Sequence, residues 1–268
     1  MSILLRPFEI IGRRVLNMGA TMYDVLSLFA QTLYWTFLGP FLGKFVGRKY
    51  VFAQMVFVGI RSIAIVFFVA AFTGIVLAMQ SAYQLDEFGA TIYVASLVAI
   101  SITRELGPVL VALVVTGRVG AAITAELGTM KVTEQIEALE TMALNPVRFL
   151  VVPRFLALLI MLPCLTIIGD LVGILGGWFI GVTSLHLNST LYFEVASEFL
   201  KLKDVFTGLF KSVIFSMIIS IVGCYQGLNT KGGAEGVGKA TTISVVTSFI
   251  LIILADCVLT AIFYFTKV

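Results

Sequence analysis

Charge is scarce in this chain. Asp, Glu, Lys and Arg make up 12% of its 268 residues, against 59% hydrophobic residues, and the mean hydropathy is +1.06. Soluble domains carry about twice that charged fraction, because their helices need water-facing sides. An ordinary soluble fold is therefore excluded, and the length suits one membrane bundle of about five or six spans. His186 is the single histidine, and Cys164, Cys224 and Cys257 lie far apart. These exclude a zinc-type ligand spacing and a disulfide framework, and isolated cysteines in apolar surroundings behave as small hydrophobes. The net charge of +3 is too modest for nucleic-acid binding. A phosphate-cradling Gly-x-x-x-x-Gly-Lys-Ser/Thr loop is missing too. The glycine-rich run from Lys231 lacks the lysine and hydroxyl placement such a loop requires, and reads as a turn. Neither a catalytic constellation nor a metal site is expected, and the N-terminus shows no signal-peptide pattern.

What the chain does have is long apolar runs. Spans are expected over residues 60–80, 90–116, 155–183, 205–228 and 241–265. The second should bend at Gly107-Pro108, where proline supplies no amide and crowds the preceding turn. The third is longer than a vertical crossing requires. Ahead of them, residues 21–38 repeat apolar side chains at helical spacing, interrupted by Asp24, Ser27, Gln31 and Thr32 and ended by Gly39-Pro40. That pattern favours an interfacial helix along the membrane, with a tilted partial span as the alternative. A short helix over 51–60 leads into the first span. Residues 1–60 thus read as a basic N-terminal region and 61–268 as a five-span domain.

Basic residues set the orientation. Arg6, Arg13, Arg14, Lys44, Arg48, Lys49 and Arg61 mark the N-terminal side as cytoplasmic, together with the loop bearing Arg118, Lys131, Arg148 and Arg154 and the turn at Lys231 and Lys239. Asp86-Glu87 and the C-terminal Lys267 then face the opposite side.

Charges inside apolar spans are costly and demand a use. Arg104 and Glu105 are neighbours, about 100° apart on a regular helix, so each should reach a different partner. They serve either helix packing or a polar cavity. Asp170 and Asp256 also interrupt spans, as packing groups, proton carriers or gates. Gly169, Gly173, Gly177 and Gly181 form a ladder that permits close helix packing, within the chain or between copies. Between spans two and three, residues 126–142 read as one amphipathic helix. Glu126, Glu134, Glu137 and Glu140 give it an acidic face, Met130, Ile136, Leu139 and Met142 an apolar one, and Thr133 can cap it. The face is either plain solvated surface or a docking helix that passes a partner's displacement to both spans.

The run from Arg104 to Pro146 combines Arg104-Glu-Leu-Gly-Pro108, Gly117-Arg-Val-Gly120, Thr124-Ala-Glu-Leu-Gly128 and Glu134-Gln-Ile-Glu-Ala-Leu139. It closely resembles the MlaE/YrbE family of ABC permeases associated with MCE proteins, and the resemblance extends over nearly the whole chain. What this implies is an all-α integral membrane protein of the bacterial inner membrane. An N-terminal interfacial elbow helix, five transmembrane helices and a cytoplasmic coupling helix would make up each subunit of a homodimer, with the N-terminus cytoplasmic and the C-terminus periplasmic. The resemblance further implies an MlaF-like ATPase dimer that binds ATP and Mg, a hexameric MlaD-like MCE protein, an optional MlaB-like STAS protein, and phospholipid as cargo in outer-membrane lipid homeostasis. No cofactor is expected in this chain itself.

Carried onto this sequence, the resemblance implies a lipid cavity lined by Leu77, Leu85 and Phe88, with Gln84 nearby and Arg104 and Glu105 deeper. Gln84 is more polar than the aliphatic residue the family pattern leads one to expect. ATPase contacts would come from Glu126, Met130, Glu134 and Glu137. Two other classes compete with this reading. An ion-coupled secondary transporter would use Glu105, Asp170 and Asp256, and a membrane scaffold would move nothing.

Overall fold

The computed structural model describes residues 2–41 and 47–265, and among these the chain is helical without a strand. Its helices are α1 (Ser2–Phe41), α2 (Arg48–Val58), α3 (Ile63–Asp86), α4 (Val94–Ser101), α5 (Gly107–Val115), α6 (Ala121–Val132), α7 (Gln135–Thr141), α8 (Val152–Thr183), α9 (Ser189–Phe199), α10 (Leu202–Leu228) and α11 (Gly233–Phe265). Five stretches are long and apolar enough to cross a membrane: Lys49–Asp86, Thr91–Val132, Val147–Thr183, Leu202–Leu228 and Gly233–Phe265. The protein is an all-α, multi-pass membrane protein, and the five expected spans are all present, each longer than its apolar core. Lys44 and Lys267 lie outside the described residues.

The amphipathic stretch over 21–38 belongs to a longer helix. α1 begins at Ser2 and ends at Phe41, one residue past the expected stop at Pro40. Leu28 and Thr32 turn inward, while Met22, Tyr23, Leu26 and Phe37 stay exposed. Phe29 meets Phe155 edge-on at 6.4 Å, and the Arg148 guanidinium lies 5.6 Å from the Trp35 ring. These contacts seat α1 against the start of α8. The next element bends at Gly59 and a 3-10 turn, Ile60–Ser62. Arg118 holds that bend: its guanidinium donates to Ser62 Oγ at 2.6 Å and lies 5.6 Å from the Phe57 ring.

Lipid is as apolar as a leucine side chain, so helices in a bilayer associate through close packing and hydrogen bonds rather than hydrophobic burial. The first and third spans obey this closely. A Cβ on Gly74 would collide with the Gly173 carbonyl, and one on Gly176 with the Ala71 carbonyl. The glycine ladder continues the pattern, with Gly169 facing Val66 and Val111, and Gly177 and Gly181 facing Tyr192. It therefore packs within the chain, against α3, α5 and α9. Thr124 joins two other helices. Its hydroxyl lies 3.1 Å from the Gly223 carbonyl of α10 and 2.9 Å from Ser244 Oγ of α11. Around it Val119, Ile123, Leu127, Leu158, Leu162 and Ile219 form a fully buried core at the α7 end of the bundle. A smaller cluster of Ala78, Val94, Val98 and Ile180 fills the opposite, α9 end.

Candidate functional site

The second span is interrupted where Gly107-Pro108 was expected to bend it. Residues Ile102–Leu106 form a π-helical turn, closed by the Gly107 amide donating to the Ile102 carbonyl. Proline cannot donate the next amide, and the wider turn absorbs both that loss and the ring. Its consequence is chemical, because Arg104 and Glu105 sit on this turn and are sent to different partners. Glu105 accepts hydrogen bonds from Lys211 of α10 and from the Thr260 hydroxyl of α11, the latter at 3.1 Å. Lys211 Nζ also lies 2.9 Å from Asp256 Oδ1 and donates to Thr260 Oγ1 at 2.7 Å. Arg104 is 3.7 Å from Asp204 Oδ1 and only at the limit of contact, 4.0 Å, with Glu105.

The result is a chain of five charges, Asp204, Arg104, Glu105, Lys211 and Asp256, tying the second, fourth and fifth spans together. Lys211 is the pivot. Its side chain is 1% exposed, and a buried ammonium persists only with counter-charges and hydrogen bonds at hand. Glu105 and Asp256 supply the charges and Thr260 a further acceptor. Asp204 has a second task, since its Oδ2 accepts the Lys201 amide and caps the start of α10. Sequence reading named Arg104, Glu105 and Asp256 but missed Lys211 and Thr260. Lys211 is a base inside an apolar run, and that signal was there to be used.

Of the expected lipid contacts, the structure brings some together and separates others. An open groove of about 350 Å³ is lined by Phe72, Thr73, Val76, Leu77, Gln80 and Leu106. Leu77 is thus beside the groove, and Leu106 places the charged turn next to it. Leu85 instead packs inward on the cluster of Ala78 and Val94. Gln84 and Phe88 are exposed at the α9 end, Phe88 at 81%.

The acidic segment differs from the expected single helix over 126–142. α6 continues the second span to Val132, and the chain breaks at Glu134, whose φ of 59° is left-handed. α7 then runs for seven residues. Thr133 does not cap α7; its hydroxyl donates back to the Thr129 carbonyl at 2.8 Å. Glu126 is engaged by Arg154 of α8 at 2.9 Å, an arginine whose side chain is 5% exposed. Met130 packs on the core rather than facing outward. Glu137 accepts from Lys131, and this hydrogen bond, with one from its own backbone, holds its carboxyl below the ordinary range. Ile136 is buried and Leu139 packs beside it. Glu134, Glu140 and Met142 are left exposed.

Comparison with known proteins places this geometry. Residues 51–262 match the family described as Permease MlaE. A probable ABC transporter permease protein of Rickettsia prowazekii is 40% identical over 261 residues, covering 97% of this chain and 99% of the relative. One from Synechocystis is 44% identical over 211 residues, 79% of this chain and 80% of the relative. The intermembrane phospholipid transport system permease protein MlaE of Haemophilus influenzae is 34% identical over 251 residues, 92% of this chain and 96% of that one.

Proposed function

From the premise that the chain belongs to the MlaE family of ABC transporter permeases, we propose that it is the membrane subunit of an ATP-driven phospholipid transporter. It works as a homodimer in the bacterial inner membrane, with its N-terminus cytoplasmic. ATP and Mg bind a separate MlaF-like ATPase dimer, docked beneath α7. Lipid passes between the membrane and a hexameric MlaD-like MCE protein on the periplasmic side, and an MlaB-like STAS protein can attend the ATPase.

One observation carries this reading: the groove of Phe72, Val76, Leu77 and Leu106 adjoins the turn that bears Arg104. A phospholipid needs continuous apolar surface for its tails and a cation within reach of its phosphate. Glu105 on the same turn meets Lys211 of α10, which also meets Asp256 of α11, so the turn is linked to the fourth and fifth spans. Movement of those spans, driven from the α7 end, would alter the groove and the charged turn together. The similarity to the Haemophilus phospholipid permease over 92% of this chain supports the cargo class.

The Glu105–Lys211–Asp256 cluster also favours an ion-coupled carrier, and one experiment separates the two. The permease is reconstituted in proteoliposomes with its ATPase, and a labelled phospholipid is followed. ATP-dependent lipid movement, together with capture of phospholipid by a photocrosslinker at Leu77, is the expected result. Lipid movement driven by a proton gradient without ATP would overturn it.

A further inference from the structure

Asp170 stands apart from the five-charge chain. It lies in the middle of α8 at 8% exposure, its Oδ1 has no hydrogen-bond partner, and no cation pairs with it among the described residues. The bases within the neighbouring spans, Arg104 and Lys211, are committed elsewhere, to Asp204 and to Glu105 and Asp256. Its neighbours on α8 face apolar groups: Gly169, the preceding residue, meets Val66 and Val111, and Gly173, one turn on, meets Ile102.

Where that carboxyl points is specific. A Cβ on Gly107 would overlap Asp170 Oδ1, and the Ile102 carbonyl oxygen lies 2.9 Å from the same position. Gly107 is the residue whose amide closes the π-turn onto Ile102, and Pro108 after it has no amide to give. The carboxyl therefore presses on the backbone at the seam of the turn that carries Arg104 and Glu105. An ionised carboxylate there would meet a carbonyl oxygen, another acceptor, and no side-chain cation among the described residues offsets its burial. A carboxylic acid has a proton to give, and a carbonyl oxygen already bonded once retains a second lone pair.

We propose that Asp170 acts as a carboxylic acid, donating to the π-turn backbone at the Ile102 carbonyl, and is the positioning residue that keeps Arg104 aimed at Asp204 and Glu105 aimed at Lys211. Glycine at 107 is then required because any side chain would displace the donor. The hydrogen bond stands independently of cargo. Only its consequence for transport rests on the phospholipid reading.

The test uses the full-length permease with its ATPase in lipid nanodiscs, as wild type, Asp170→Asn and Asp170→Leu. The infrared difference spectrum between wild type and Asp170→Asn should show the carbonyl stretch of a protonated carboxylic acid, sensitive to deuteration. Loss of a carboxylate band instead would overturn the proposal. The asparagine amide can still donate, so ATP-dependent lipid transfer in Asp170→Asn should stay within about twofold of wild type, while Asp170→Leu falls about tenfold, as loss of one buried hydrogen bond implies. Equal impairment of the two variants would also overturn it, and the Asn variant and the spectrum decide even if the Leu variant fails to assemble. A protonated-acid band in a complex that moves no phospholipid would sink the cargo reading and leave the hydrogen bond intact.

Discussion

Lys211 on α10 donates to Glu105 in the π-turn, a residue 106 positions earlier, and its ammonium is 2.9 Å from Asp256 on α11. One buried cation thus holds three spans.

Replacing it tests that role. Lys211→Met leaves two carboxylates facing each other without their cation and should destabilise the protein by about 3 kcal/mol, the lower end for breaking a buried pair because Glu105 and Asp256 keep some solvent contact. The triple variant Glu105→Gln, Lys211→Met, Asp256→Asn should recover most of that loss while remaining defective in lipid transfer. Thermal unfolding in detergent and proteoliposome transport read the two effects separately. A fully active triple variant would reduce the cluster to packing.

The contact between Lys131 and Glu137 should respond to acid. The Glu137 carboxyl is held below its ordinary value of 4.5, so the folded state binds its proton less readily than the unfolded one. Its contribution is complete above that value and is lost as pH falls below it, through the folded pKa. Amide exchange across Gln135–Thr141 should be flat from neutral pH to about 4.5 after correction for intrinsic rates, then rise. In Glu137→Gln the acid-dependent rise should vanish.

Glu134 separates backbone strain from docking. A left-handed conformation costs a non-glycine residue about 1–2 kcal/mol, and glycine recovers part of that against its greater unfolded-state freedom, leaving a gain of about 0.5–1 kcal/mol for Glu134→Gly. If the exposed carboxylates of Glu134 and Glu140 bind the ATPase, Glu134→Lys with Glu140→Lys should abolish copurification without lowering the melting temperature.

Orientation can be read with single cysteines in intact cells. Labels at positions 131 and 231 should be protected from an impermeant reagent and one at 86 should react, since the α7 end carries the basic residues. Reaction at 131 from outside would invert the topology.

Some of this was legible in the residues alone. Uncharged runs of span length announce themselves, and Gly107-Pro108 marked the place where the second span departs from regular geometry, because a missing amide has local consequences. The break at Glu134 gave no such signal: nothing between Lys131 and Met142 is glycine, proline or asparagine, and the chain turns there on a glutamate. Ion pairing was illegible for a different reason. Glu105 and Lys211 lie on separate spans, and which faces meet is decided by packing of all five. Packing likewise brings Arg154 of α8 to Glu126, a pairing that the sequence alone does not show.

The π-turns at Ile102–Leu106 and Thr116–Gly120 each accommodate one residue more than an α-turn. Re-forming the first as an α-turn with all its residues kept would rotate everything beyond it by about 100°. Val115, Val119, Ile123 and Leu127, all fully buried, would swing out of the core, and Thr124 would leave Gly223 and Ser244. The second span is consequently phased rather than merely measured: its lower half stays in register only while both wide turns absorb their surplus residues, so a substitution that favours regular α-helix at either turn misplaces the core below it.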